Sequence, residues 1–292
     1  MKETMRAVAL AVLGIMAIVA VILQVLAGGP VALLPSVEER TVEVHVIDVG
    51  QADCTLIRTC HGYILIDAGE PENGEDVLAY MHKAGVDKLS LAIFTHPDSD
   101  HIGGAPKILQ SIPTEQILVP HVPEEYLPMT EAYENFQTAL GCLPEGTVLE
   151  ADAGDVFFVG EIAVNVLSPA ETQYDDINDY SLVVKILFGE TSFLFTGDAG
   201  EAVERELLAL WGTELKSTWF HAGHHGSDTS NSYEFIETVC PQMAVVSCGK
   251  NAFGHPSGRA MVSFARVGAT MYRTDEDGTM IFISDGTSVI KK

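Results

Sequence analysis

Thr41 to Val49, TVEVHVIDV, alternates polar and apolar positions and is rich in β-branched residues, the period-two pattern of a strand. Gly50 to Asp53 then turns the chain, and Cys54 to Arg58 pairs with Tyr63 to Asp67 as a hairpin around His61-Gly62. Glu75 to Ala84 carries helical spacing and stops at Gly85. Leu89 to Phe94, LSLAIF, is a short apolar run that reads as a buried strand. Ala105 to Gln110 is helical, Gln116 to Val119 a strand, and Thr130 to Leu140 a helix ended by Gly141. From Thr147 the pattern becomes strand-rich: Val156 to Val159, Ile162 to Leu167, Leu182 to Phe188 and Ser192 to Thr196, the last two joined by a tight turn at Gly189-Glu190. Glu201 to Trp211 is an amphipathic helix. The chain closes with a strand at Ser217 to His221, a helix from Asn231 to Val239, a strand at Met243 to Ser247, a helix at Ser257 to Val267 and a hairpin near Asp277-Gly278. No short-period repeat or long linker divides residues 41–292, which read as one α/β domain of two similar halves.

The remaining apolar pattern lies at the N-terminus. Ala7 to Ala27 is free of charge and polar only at Gln24, enough to span a bilayer as a helix. Lys2 and Arg6 precede it, favouring a cytoplasmic N-terminus. A cleaved signal peptide is the competing reading, with Val25-Leu26-Ala27 as the cut region. The run is longer than a signal core, so residues 1–29 are expected to be an uncleaved membrane anchor and residues 30–40 a proline-containing linker. Either reading exports the remainder: a cell-membrane protein with an extracytoplasmic domain, or a secreted one.

Of 41 Asp+Glu and 16 Lys+Arg, only Lys2, Glu3 and Arg6 precede residue 28, so the acidity (net −25 for the chain) resides in the exported part. Such a surface repels nucleic acid at long range and counts against a tight DNA-binding module, since non-specific affinity comes from Lys and Arg. An enzyme that engages phosphate through a metal is compatible with it. The five cysteines form no CxxC pair. Cys54 and Cys60 share one extended segment, about 20 Å apart at strand rise, beyond the roughly 4.4–6.8 Å a disulfide requires. Cys240 and Cys248 flank another strand and fail the same test, so buried thiols are expected, with a long-range bridge from Cys142 left open.

Chemistry concentrates in Thr95 to Gly104, THPDSDHIGG, where His96, Asp98, Asp100 and His101 place four metal-capable side chains within six positions. Pro97 and Gly103-Gly104 put them on the loop leaving the buried strand, where side chains can converge rather than alternate between faces. Imidazole and carboxylate suit a hydrolytic divalent metal. Asp198 follows the apolar run FLFTG and His224-His225 follow another strand, both at the strand ends where α/β folds gather sites. Alone, Asp198 reads as a helix N-cap and His224-His225 as a turn; beside HPDSDH, they read as a bridging carboxylate and a closing ligand.

HPDSDH resembles the HxHxDH signature of the metallo-β-lactamase superfamily, with Asp98 in place of the middle His. The wider context is similar to the metallo-β-lactamase-like domain of the ComEC competence proteins. HVIDVGQADCTLI, LIDAG, LAIFTHPDSDHIGG, NDYSLVV, FLFTGD, HAGHHGS, FGHPSG and YRTDEDGTM carry the resemblance over residues 45 to 280. It implies a four-layer αβ/βα sandwich with two divalent ions at one edge. His96 and Asp98 would ligate the first ion, Asp100 and His101 the second; Asp198 would bridge, and His224 or His225, with His224 preferred, would complete the second shell. Asp67 would support the metal loops by hydrogen bonding. The superfamily's further His is missing, His121 standing in a proline-rich loop without a motif, and Asn178 and Ser181 lie in the corresponding strand region. The resulting oxygen-rich first site shifts preference from zinc toward manganese or magnesium, with zinc or single occupancy still open.

The resemblance implies an extracytoplasmic hydrolase of phosphodiesters, nuclease-like and acting on DNA, in which the cations lower the pKa of a bound water. Asp100, Asn178, Ser181 and His255 are the expected catalytic positions. His255 would donate to a phosphate oxygen or leaving group, or else is a structural turn residue; His221 would cap a strand. Two alternatives stay open: a phosphodiesterase of a cell-wall or choline-type ester, and a non-catalytic accessory protein bound to a channel or competence partner.

Overall fold

Alternation along each strand decides which layer it faces. In β3 (Gly62–Ile66) and β4 (Leu91–Ile93), Ile64, Ile66, Leu91 and Ile93 enter the core between the sheets, while Leu65 and Ala92 face helices on the other side. Burial on both faces is why β4 reads as an unbroken apolar run. The computed structural model describes residues 40–171 and 173–292. The expected anchor at 1–29 and all of the linker but Arg40 lie outside the described residues, and among the described residues no helix is long and apolar enough to cross a membrane.

The first sheet is built from β1 (Val42–Val46), β2 (Thr55–Thr59), β3, β4, β5 (Ile117–Val119) and β6 (Val148–Glu150), in spatial order. Helices α1 (Gly74–Lys83), α2 (Ser99–Ile102), α3 (Ala105–Ser111) and α4 (Glu131–Gly141) fall within this half, and Val77, Met81, Ile108 and Phe136 pack with Leu65, Ala92 and Phe94. The second sheet contains β7 (Val156–Val159), β8 (Ile162–Ser168), β9 (Val183–Phe188), β10 (Thr191–Phe195), β11 (Trp219–His221), β12 (Met243–Val246) and β13 (Thr270–Arg273). Its outer face is covered by α5 (Glu201–Trp211), α6 (Tyr233–Val239) and α7 (Gly258–Arg266), through Val203, Leu207, Phe235 and Phe264. Between the sheets lie Val44, Ile57, Ile64 and Ile93 against Val164, Ile186, Phe193, Phe195 and Trp219. Helix, sheet, sheet, helix is the four-layer αβ/βα sandwich.

The chain end departs from the expected hairpin. Asp277-Gly278 closes a short helix, α8 (Thr274–Asp277), with Gly278 at φ +67. The chain then leaves the second sheet, and β14 (Met280–Ser284) pairs antiparallel with β1 of the first, Val44 opposite Phe282. The terminal hairpin turns one strand later, to β15 (Val289–Lys291). The cysteines also differ from expectation: Cys54 and Cys248 are buried, Cys60, Cys142 and Cys240 are exposed, and no disulfide, from Cys142 or otherwise, forms among the described residues.

Candidate metal centre

The C-terminal end of β4 delivers Phe94, Thr95 and His96, after which Asp98 stands at the N-terminal boundary of α2, its side chain making no cap bond, and the single turn of α2 carries Asp100 and His101. The motif is thus half loop and half helix, rather than the loop expected throughout. Gly103 and Gly104 let the segment after β3 lie directly on this turn: a Cβ on Gly104 would meet Ala68 O at 2.2 Å, and one on Gly103 would meet Pro71 Cδ at 2.3 Å. Backbone bonds close the join, Ala68 N to His101 O at 2.7 Å and Gly104 N to Gly69 O at 3.0 Å.

Asp67, buried and at φ +56, is the pin of this arrangement. It accepts from Thr95 N at 2.8 Å, Thr95 Oγ1 at 2.8 Å and His101 Nδ1 at 2.9 Å. A carboxylate only accepts, so the His101 proton sits on Nδ1 and the lone pair of Nε2 is turned toward Asp198.

Asp198 comes from the other half, on the turn after β10. It is no helix cap, since α5 begins behind Gly200. Gly197, at φ +50, lets the two halves approach: a Cβ there would stand 2.9 Å from Thr95 Cβ and 3.0 Å from Ser181 Oγ. Ser181 Oγ accepts from Asp198 N at 3.1 Å, so the serine holds the aspartate's backbone. Asn178 lies in the preceding 3-10 turn with its Oδ1 buried and unbonded among the described residues.

Around the Asp198 carboxylate, His101 Nε2 lies at 3.3 Å, His224 Nε2 at 3.6 Å, His225 Nε2 at 3.9 Å and His96 Nε2 at 4.0 Å. His96 Nε2 is also 3.7 Å from Asp98 Oδ2, and His225 Nε2 is 3.1 Å from Asp100 Oδ2. Three ligand-like groups share His101: with His96 and Asp198, with Asp100 and His225, and, behind the ring, with Asp53 and Asp67. The preference for His224 is not what the geometry favours, because His225 is buried against Asp100 and His101 whereas the His224 side chain is 25% exposed. Both residues occupy left-handed backbone, φ +50 and +52, a strained pair of the kind that clusters at functional sites. Asn231 clamps the turn, accepting from Gly223 N at 3.0 Å and donating to Gly223 O at 2.8 Å.

Sequence reading missed the group behind His225. Asp53 is buried, with Oδ1 3.4 Å from His225 Nδ1 and Oδ2 3.6 Å from His221 Nδ1. His221 does more than cap its strand, its Nε2 lying 2.8 Å from Ser247 Oγ. His225 Nδ1 donates to Ser247 O at 3.1 Å, which again turns an Nε2 lone pair inward. The available signal was an acid set between the small apolar Ala52 and Cys54.

The electrostatics show what this arrangement lacks. Burial works against the imidazolium of His101, yet Asp198, Asp67 and Asp100 outweigh it and hold its pKa well above the ordinary value. His225 is raised likewise, burial being overcome by Asp198, Asp53 and Asp100. Asp198 lies well below the carboxylate range despite its burial, because of His101 and His225. Inward lone pairs facing carboxylates repel unless positive charge lies between them, as protons or as metal. His96 Nε2, His101 Nε2 and Asp198 Oδ1 are all buried without a hydrogen-bond partner among the described residues. Buried polar atoms are rarely left so, and this nitrogen–oxygen set fits divalent metal. His121, exposed and 3.1 Å from Glu150 Oε2, stands outside the cluster.

This fold is that of the metallo-β-lactamase superfamily, and the chain belongs to it: the family model, described as "Metallo-beta-lactamase superfamily", matches residues 47–249. Within that superfamily its sequence is that of a ComEC-like domain. It is 31% identical over 258 residues to ComE operon protein 3 of Bacillus subtilis (strain 168), covering 82% of this chain and 32% of that protein. It is 31% identical over 249 residues to competence protein ComA of Neisseria gonorrhoeae, covering 85% of this chain and 33% of that protein. The chain thus spans about a third of the curated relatives it matches. Among solved structures, the metallo-β-lactamase fold protein YhfI from Bacillus subtilis aligns with TM-score 0.56 at 9% identity over 84% of this chain and all of that one. The diiron β-hydroxylase CmlA from Streptomyces venezuelae aligns with TM-score 0.56 at 15% identity, over 86% of this chain and 54% of that one. These two likenesses concern the fold.

Proposed function

We propose that this protein is an extracytoplasmic, metal-dependent phosphodiesterase of the nuclease type, acting on DNA in an uptake context. The observation that carries the reading is the buried Asp198 carboxylate surrounded by inward-facing, unpartnered imidazole nitrogens on a ComEC-like chain. His96, Asp98 and Asp198 would hold one divalent cation, and Asp100, His101, His225 and Asp198 a second. Bound there, such cations polarise a phosphoryl oxygen and lower the pKa of water. Asp98 brings oxygen where the superfamily signature has nitrogen, which favours manganese or magnesium over zinc.

The chain's own groups do the rest. Asp67 and Ser247 O keep the His101 and His225 lone pairs inward, and Ser181 holds Asp198. Ser181 therefore acts by positioning Asp198, and Asn178, three residues before it, keeps a buried Oδ1 without a hydrogen-bond partner among the described residues. His255 is kept below the ordinary imidazole pKa by burial and then by His224 and His225, so at neutral pH it is a neutral ring whose N–H donates to a phosphate oxygen at the site's mouth. The apolar run at residues 7–27 supports export with retention at the membrane; protease shaving of intact cells that leaves the domain undigested would refute it.

The test is a substrate panel. The manganese- or zinc-loaded protein is assayed on single- and double-stranded DNA, bis(p-nitrophenyl) phosphate and a choline phosphodiester. DNA hydrolysis abolished by Asp198→Asn and His101→Ala is expected. Hydrolysis of the choline ester alone would replace the substrate assignment, and no hydrolysis by metal-loaded protein would favour the accessory role.

A further inference from the structure

The mouth of the site carries an aromatic side chain that the reaction described above does not use. Phe253 is 77% exposed, an unfavourable placement for a large apolar ring unless something covers it. Its loop is nonetheless tightly built. Asn251 Oδ1 accepts from the backbone N–H of Phe253, Gly254 and His255 at 3.0, 2.9 and 3.1 Å. Asn251 Nδ2 donates to His255 O at 2.7 Å, to Gly249 O at 2.9 Å and to Gln51 Oε1 at 3.1 Å. Gln51 Oε1 also accepts from Gly249 N at 3.0 Å, tying this loop of the second half to the turn after β1. Gly249 is required for that contact, because a Cβ would meet Gly50 C at 2.6 Å. One asparagine thus fixes the backbone of the three residues that carry Phe253 and His255.

The ring is also aligned with the centre. Phe253 and His255 lie 5.7 Å apart between ring centroids at an interplanar angle of 32°, and His255 meets His224 edge-on at 5.4 Å. His224 Nε2 is 3.6 Å from Asp198 Oδ2. A planar face therefore stands two ring-to-ring steps from His224, and one further contact from the carboxylate at the heart of the cluster, with exposed Lys250 on the same loop. An exposed aromatic beside a cation is how sequence-tolerant single-strand sites hold nucleotides, the ring stacking on a base and the cation meeting the backbone. Elsewhere the surface is acidic and supplies little phosphate attraction, so an uncharged contact to the base carries more of the binding here.

We infer that Phe253 is a stacking platform for a nucleobase of a single-stranded substrate, adjoining the phosphodiester held at the Asp198 cluster, with Lys250 facing the neighbouring phosphate. This rests on the phosphodiesterase reading and adds to it the form of the substrate: an unpaired strand, whose base faces are open to the ring.

The test compares the whole manganese-loaded protein with its F253A and F253W variants on a single-stranded oligonucleotide and on versions made abasic at one successive position each. Phe253 is exposed, so both variants should retain the wild-type melting temperature. F253A is expected to raise KM about 10-fold, the scale of one base–aromatic stack, with kcat nearly unchanged. F253W should restore KM, and its new indole emission should be quenched on titration with the oligonucleotide. One abasic position should reproduce the loss in wild type and add nothing in F253A. Wild-type DNA hydrolysis with an unaltered KM in F253A, or no indole quenching in F253W, overturns the stacking site and leaves the hydrolase standing. A wild-type protein that neither binds nor cleaves any oligonucleotide overturns the DNA reading, and the stacking site with it.

Discussion

Replacing Asp67 by asparagine tests how the cluster is held with the smallest change of shape available. The residue is buried at φ +56, a backbone region that asparagine tolerates better than most residues, so the fold should survive. Its amide oxygen can still accept from Thr95 N, and Thr95 Oγ1 can rotate to accept from the new NH₂ group. His101 has no such freedom. Its Nδ1–H, now 2.9 Å from an amide nitrogen instead of a carboxylate oxygen, must give up its proton to accept, which moves that proton to Nε2, the atom facing Asp198. A ring protonated there cannot ligate. Loss of such a supporting partner costs about 10- to 100-fold in metal affinity, or about 1.4–2.8 kcal/mol at 1.4 kcal/mol per tenfold. Asp67→Ala should behave differently. Three buried donors lose their acceptor at about 1–3 kcal/mol each, and the left-handed backbone adds about 1 kcal/mol, together comparable with the roughly 5–15 kcal/mol stability of a domain. Calorimetric titration with Mn²⁺ reads the affinity, and ¹⁵N spectra of the histidine rings read the tautomer. A folded Asp67→Asn variant that binds manganese as tightly as wild type would refute the reasoning.

Three further outcomes follow from the same contacts. Asp53→Ala removes the carboxylate that His225 and His221 share, and should weaken manganese binding about 10-fold in the same titration while leaving the Asp67–His101 tautomer intact. Gly197→Ala places a methyl group 2.9 Å from Thr95 Cβ at φ +50, and should lower stability by at least about 1–2 kcal/mol in urea unfolding; wild-type stability would contradict it. Burial and then Asp275 push the Cys248 thiol up to about 11, and burial raises that of Cys54 well above the ordinary value, so at pH 8 a thiol reagent should label Cys142 and Cys240 in the native protein but Cys54 and Cys248 only after denaturation, as peptide mapping would show.

Much of the architecture was legible because two-sided burial and period-two alternation write themselves into short segments: β4 and β10 were evident from LSLAIF and SFLFT. What escaped was partnership. The MIFIS segment of β14 reads as a strand, but its register with β1, more than two hundred residues away, leaves no local mark, and Asp277-Gly278 has the chemistry of a hairpin turn although it closes a helix before the chain changes sheets. In the centre, four ligand-type residues in six positions announced themselves by density. Asp53 did not, because its significance depends on His225 and His221 arriving from the other half of the sandwich. The order of His224 and His225 was equally hidden: two left-handed residues in succession turn adjacent side chains to different depths, and only the backbone shows which one is buried.

Equilibrium dialysis against Mn²⁺ tests the central claim, a cation site bridged by Asp198, most directly. Wild type should bind two ions per chain, and Asp198→Asn, folded and at the same free manganese concentration, should bind no more than one. Binding undiminished by Asp198→Asn would contradict the account.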